Sequence, residues 1–111
     1  MTFPDNKFKT KTDRYAKTRG GNSKFLYITC SNCGQPLIIY QKDGPGKLLR
    51  CYVDRIVWLA SPINEQTNSL ACSSCSRIVA SHMIYKPENR PAYRIIPGSI
   101  HLHKNSTIIE S

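Results

Sequence analysis

Two stretches decide how this chain folds: Tyr27-Ile-Thr-Cys-Ser-Asn-Cys-Gly-Gln-Pro-Leu37 and Leu70-Ala-Cys-Ser-Ser-Cys75. Each carries two cysteines separated by two residues. Such a pair can grip one metal ion from a single tight turn, because the backbone reverses between the thiols and aims both inward. One pair fills half of a tetrahedral shell, and a second pair completes it. Gly34, directly after Cys33, suits the positive φ and close approach that such a knuckle needs. The second knuckle has Ser76 at the equivalent place.

An internal echo extends this reading. Cys30-Ser-Asn-Cys33 precedes the apolar run Leu37-Ile-Ile-Tyr40, and 42 residues later Cys72-Ser-Ser-Cys75 precedes Ile78-Val-Ala80. Two knuckle-then-strand units that face each other would place four sulfurs around one point. Cys30, Cys33, Cys72 and Cys75 are therefore the expected ligands of one structural Zn2+. With every position filled by protein, such an ion stabilises and does not catalyse. Two surface disulfides, a redox pair and an iron–sulfur cluster are the competing readings. A thioredoxin-like site needs a βαβ context that this sequence lacks.

Working outward, Phe25 to Thr29 is dense in β-formers and runs into the first knuckle, so it reads as a strand. Leu37 to Tyr40 follows as a second. Asp43-Gly-Pro-Gly-Lys47 is a turn. Leu48 to Ile56 alternates, with Leu49, Cys51 and Val53 on one face and Arg50, Tyr52 and Asp54 on the other, which predicts a third strand closing a hairpin. Ser61 to Ser69 reads as polar loop or one helical turn. Beyond the second knuckle, Ile78–Ala80, Met83–Tyr85, Ala92–Ile96 and Ile100–Leu102 read as strands, with turns at Lys86–Pro91 and Pro97-Gly98. No window has a convincing helical period. The expected fold class is mostly β: a small zinc-stapled antiparallel sheet domain over 25–111.

Residues 1–24 differ in kind. They hold Lys7, Lys9, Lys11, Arg14, Lys17, Arg19 and Lys24 against Asp5 and Asp13, a net +5 out of the chain's +9. With Phe3, Phe8 and Tyr15 as the large apolar groups, the segment reads as a disordered basic arm. No apolar run approaches the roughly 20 residues that span a bilayer, and the N-terminus lacks the apolar core of a secretory signal. The expectation is no membrane partner and a reducing, intracellular setting, with the cytoplasm as default, where paired cysteines hold metals more often than they form disulfides. At 111 residues there is room for one domain whose small core benefits from a staple.

With the knuckles placed, the segment Tyr27–Leu37 resembles the first zinc knuckle of the methionine-R-sulfoxide reductases and their β-tent relatives, which include the Yippee and cereblon domains. Leu70–Cys75, followed by Ile78–Ala80 and Ala92–Ile96, is similar to the second. The resemblance covers about residues 25–103 and implies two antiparallel sheets pinned at one edge by a zinc ion with four cysteine ligands. Catalysis does not carry over. Those reductases place a nucleophilic cysteine just after a Tyr in a late strand, whereas here Arg94 follows Tyr93 and no cysteine occurs after Cys75. An elongated zinc ribbon is the alternative fold, although its knuckles usually stand about 15–20 residues apart, against the 38 between Cys33 and Cys72.

Three functions are compatible with this pattern. In the first, a non-catalytic module contacts RNA or single-stranded DNA through the arm and through Arg50, Arg55, Arg77, Arg90 and Arg94, with Tyr52 and Tyr93 for stacking. In the second, the sheet docks a protein or peptide. In the third, Cys51 is the nucleophile of a divergent thiol enzyme; its plainer reading is a core thiol. His101 and His103 share a strand face and could form a weak second metal site, and His82 has no assigned role.

Overall fold

A computed structural model describes Phe3 and residues 23–43, 47–60 and 68–104. The arm's basic residues from Lys7 to Arg19, the centre of the 43–47 turn and the 61–67 segment lie outside the described residues. The described chain is mostly β, with eight strands in two antiparallel four-stranded sheets.

The strands are β1 (Ser23–Cys30), β2 (Pro36–Asp43), β3 (Arg50–Tyr52), β4 (Ile56–Leu59), β5 (Ser69–Ala71), β6 (Ile78–Tyr85), β7 (Arg90–Ile95) and β8 (Ile100–His103). The first sheet has the order β4-β2-β1-β8 and the second β3-β7-β6-β5. Each knuckle is the reversal of a hairpin, β1–β2 in the first sheet and β5–β6 in the second. The echo in the sequence is thus a structural repeat with one unit per sheet. β1 begins at Ser23, inside the segment read as arm, and the runs Ile78–Ala80 and Met83–Tyr85 are one continuous strand.

The third strand departs from expectation. The pattern over 48–56 predicts one long strand hairpinned to β2. Instead β3 ends at Tyr52, a 3-10 turn spans Val53–Arg55, and β4 starts at Ile56. β3 then pairs with β7 in the second sheet, while β4 returns to β2 in the first. The turn is held from outside. Asp54 receives the Arg90 guanidinium at 2.9 Å, Glu88 takes its other end at 2.9 Å, and the guanidinium lies 3.8 Å over the Tyr52 ring. Tyr52 is buried beside Cys51 while Leu49 is exposed, so burial here does not follow the alternation of the sequence.

The inward residues of both sheets form one core cluster. Leu26, Ile28, Ile38 and Tyr40 come from the first sheet, and Cys51, Leu70, Ala80 and Tyr93 from the second. A bond ties the sheets directly, from the Tyr52 N–H to the Tyr40 hydroxyl oxygen at 2.9 Å. On the other side of the first sheet, Phe3 packs edge-on against Tyr27 at 5.2 Å and Trp58 at 5.7 Å. Among the described residues no helix is long and apolar enough to cross a membrane.

Candidate metal centre

The two knuckles are built alike, bond for bond. In the first, the Gly34 N–H donates to the Cys30 carbonyl at 2.8 Å and the Cys30 N–H to the Gln35 carbonyl at 2.9 Å. In the second, the Ser76 N–H donates to the Cys72 carbonyl at 2.8 Å and the Cys72 N–H to the Arg77 carbonyl at 2.9 Å. Both turns close through a left-handed residue, Gly34 at φ 78° and Ser76 at φ 66°. The departure at Ser76 therefore leaves the turn type unchanged and forces a side chain into a conformation that glycine adopts freely.

Each sheet contributes two thiols, and the pairs interleave. Cys30 Sγ lies 3.7 Å from Cys75 Sγ, and Cys33 Sγ lies 3.4 Å from Cys72 Sγ, so both short contacts cross between knuckles. All four sulfurs lie within 4.8 Å of one another. Four sulfurs each about 2.3 Å from a shared centre would sit about 3.8 Å apart, so the quartet fits a single ion. A disulfide needs about 2 Å, and all five cysteines are free. A multi-iron cluster places its own atoms between the ligands and requires wider spacing. Cys30 and Cys72 are buried while Cys33 is exposed, which sets the centre at the protein's edge.

The shell around the sulfurs is specific as well. The second cysteine of each knuckle accepts a backbone N–H from two residues on, Gln35 for Cys33 and Arg77 for Cys75. The Asn32 side chain reaches across to Cys75 and, with the Arg77 N–H, holds its thiol down at about 6. At Cys33 the Gln35 N–H favours the thiolate, but desolvation and the neighbouring sulfurs push the thiol up to about 11. Without an ion, Cys33 therefore holds its proton more firmly than Cys75; a bound cation favours the thiolate form of its ligands. The first knuckle is also braced from behind: the Ser31 N–H donates to the Ser99 carbonyl at 3.0 Å, and the Ser31 hydroxyl to the Gly98 carbonyl at 2.7 Å. Asn32 is the residue that sequence reasoning missed; a lone Asn inside a CxxC pair carries no distinguishing signal.

The remaining candidates separate. Cys51 is fully buried, and burial pushes its thiol up to about 12, so a thiolate nucleophile is not accessible there. Arg55, Arg90, Tyr52 and Tyr93 are buried, which corrects their placement on a nucleic-acid surface; a ring inside the core cannot stack on a base. Arg50 and Arg94 are cross-strand partners. Arg94 is exposed, whereas the Arg50 guanidinium lies 4.2 Å over the Tyr85 ring and donates to the Tyr52 hydroxyl at 3.3 Å. His101 is exposed, His103 Nε2 lies 3.0 Å from Thr29 Oγ1, and His82 sits edge-on to Tyr93. Among the described residues, the four cysteines are the one group arranged to hold a metal ion.

Against known proteins the chain stands apart: no family model, no curated protein and no solved structure matches it.

Proposed function

We propose that this chain is a non-catalytic binding module of β-tent type whose two sheets are locked together by one structural zinc ion on Cys30, Cys33, Cys72 and Cys75. The observation that carries this reading is the sulfur quartet, two thiols from each sheet within 4.8 Å of one another. Four thiolates in a tetrahedral set suit zinc, a d10 ion with no geometric demand of its own, and a closed cysteine shell leaves no site for a reacting water. The buried Cys51 supports the absence of thiol chemistry.

The expected partner classes fare unequally. Peptide addition to a sheet edge is disfavoured, because the four edge strands are three or four residues long and offer few unpaired backbone groups. Contact with RNA or single-stranded DNA rests on charge, since the tyrosines counted on for stacking are internal.

Elemental analysis of purified protein should return one zinc per chain. Cys30→Ser and Cys72→Ser should each lose the metal together with the dispersed amide spectrum of a folded β protein. A metal-free protein that keeps its dispersed spectrum would overturn the assignment, and so would iron in place of zinc.

A further inference from the structure

The two short sulfur contacts do more than cross between the sheets: each joins an outer thiol to an inner one. Cys33 is exposed, and Cys72, 3.4 Å from it, is buried. Cys75 is half-buried, and Cys30, 3.7 Å from it, is buried. A thiol that an oxidant can reach, beside a sheltered thiol that can resolve the product, is the arrangement of redox-responsive cysteines. The fifth cysteine, Cys51, is fully buried in the core and stands outside the quartet.

A sulfur–sulfur bond is about 2.0 Å long. From 3.4 Å, Cys33 and Cys72 reach it by closing about 1.4 Å; from 3.7 Å, Cys75 and Cys30 close about 1.7 Å. The members of each pair sit on separate turns, so a small shift of one turn toward the other suffices. Within a knuckle both thiols ride on a single turn, closed in the first by the Gly34 and Cys30 N–H bonds and in the second by those of Ser76 and Cys72. Drawing those thiols together works against the bonds that shape the turn.

We infer that the quartet is a hydroperoxide-responsive switch, which exchanges its metal for the disulfides Cys33–Cys72 and Cys30–Cys75 and keeps the sheets joined in both states. This switch presupposes the structural zinc ion proposed above. The Cys33 thiolate attacks one oxygen of the hydroperoxide; an S–O bond forms, the O–O bond breaks, and the other oxygen leaves as alkoxide or, from hydrogen peroxide, as hydroxide. The Cys72 thiolate then attacks the Cys33 sulfur, which forms the S–S bond and expels hydroxide. The two cysteines are oxidised by two electrons and the peroxide is reduced by two. Cys75 and Cys30 repeat both steps with a second peroxide. In sum, four thiolates and two hydrogen peroxides become two disulfides and four hydroxides, and the cation is freed. Each disulfide ties the β1–β2 hairpin to the β5–β6 hairpin, so oxidation removes the metal without parting the sheets.

The test is titration of the metal-loaded full chain with hydrogen peroxide, while a chromophoric chelator reports the zinc released. Release should be complete at about two peroxides per ion. No Lys or Arg lies between the cysteines of either knuckle, so trypsin leaves each knuckle on one peptide. Disulfides between the sheets join the two peptides, and fragmentation should assign Cys33–Cys72 and Cys30–Cys75. The oxidised, metal-free protein should keep a dispersed amide spectrum, which the reduced protein stripped by a chelator loses. Dithiothreitol with added zinc should restore the starting state. Two separate knuckle peptides, each with its own disulfide, would overturn the inference. So would sulfinic acid at Cys33 in place of a disulfide, or an oxidised chain without dispersion. A preparation that holds no zinc before peroxide is added would refute the zinc reading itself, and the tryptic map of its oxidised chain would still decide the pairing.

Discussion

Ser76→Gly should make this protein more stable, although it removes a side chain and adds no contact. Ser76 holds φ 66° at the position where the first knuckle has Gly34 at φ 78°, and its N–H closes the turn onto the Cys72 carbonyl. A residue with a Cβ in the left-handed region costs roughly 1–2 kcal/mol. Glycine relieves that strain but gives back about 0.4–1 kcal/mol through the greater freedom of the unfolded chain. The net gain is about 0.5–1 kcal/mol, equivalent to a rise of roughly 2–8 °C in melting temperature for a domain of this size. The N–H bond to Cys72 is kept, so metal stoichiometry should not move. The reciprocal change isolates the cause: a Cβ built on Gly34 meets nothing within 4 Å, so Gly34→Ala is free of steric clash and should destabilise by backbone strain alone. Thermal melts of both variants at saturating zinc provide the measurement. If Ser76→Gly lowers the midpoint, or Gly34→Ala leaves it unchanged, the claim that the two turns are equivalent and strained in this way is wrong.

Other consequences can be read out separately. Asn32→Ala removes the side-chain donor to Cys75, and competition with a chromophoric chelator should show metal affinity lower by about 10- to 100-fold, the usual effect of losing a ligand's outer partner. Cys51 should resist iodoacetamide in the folded protein. Its thiol is raised from 9.0 to about 12 by burial, so its contribution to stability is complete below pH 9 and is lost as pH climbs toward 12. By pH 10.5 that loss is about 2 kcal/mol. Cys51→Ala should therefore show a shallower alkaline decline in urea midpoints than the parent, and parallel declines would refute the burial argument. Tyr40, also raised by burial, adds to the decline in both proteins. Phe3→Ala should shift the emission of Trp58, the only tryptophan, to longer wavelength, because the ring that covers it edge-on at 5.7 Å is gone. Unshifted emission would mean that Phe3 does not cover Trp58 in solution.

The knuckles and most strands were legible because their signals are local. A CxxC pair, a following glycine and a run such as Phe25–Thr29 act within a few residues, and the chain folds there as its composition dictates. The partition into two sheets was not legible, because the break after Tyr52 has no local cause. Val53–Arg55 contains neither Gly nor Pro; the turn is held by Arg90, 36 residues away from Asp54. The same interaction hides Tyr52 under a guanidinium, and so the Arg/Tyr surface expected from the sequence falls apart. Alternation failed for a related reason. Cys51 and Tyr52 are adjacent and both buried, because the Arg90 guanidinium at 3.8 Å and the Tyr85 ring at 5.7 Å cover Tyr52 on the face opposite Cys51. A pattern of period two presupposes one wet face.

The topology explains why a metal belongs where the cysteines place it. The chain runs through a hairpin unit in each sheet, β1–β2 and β5–β6, and then each half sends a strand to the other sheet. β3 from the first half pairs with β7, and β8 from the second half pairs with β1. These exchanged strands are short, three and four residues, and carry few ladder bonds. They interlock the sheets, and β8 reaches the first knuckle itself, where Ile100 pairs with Cys30 and the Ser31 N–H donates to the Ser99 carbonyl. An ion bound by two thiols from each hairpin adds a direct link between the two turns. Because no ordered structure brings Cys30 to Cys75 before both hairpins exist, the binding energy of the ion is realised only in the assembled pair. Metal loss should accordingly separate the sheets as one cooperative event instead of loosening one knuckle, and amide exchange in β1 and β6 should accelerate together when a chelator is added.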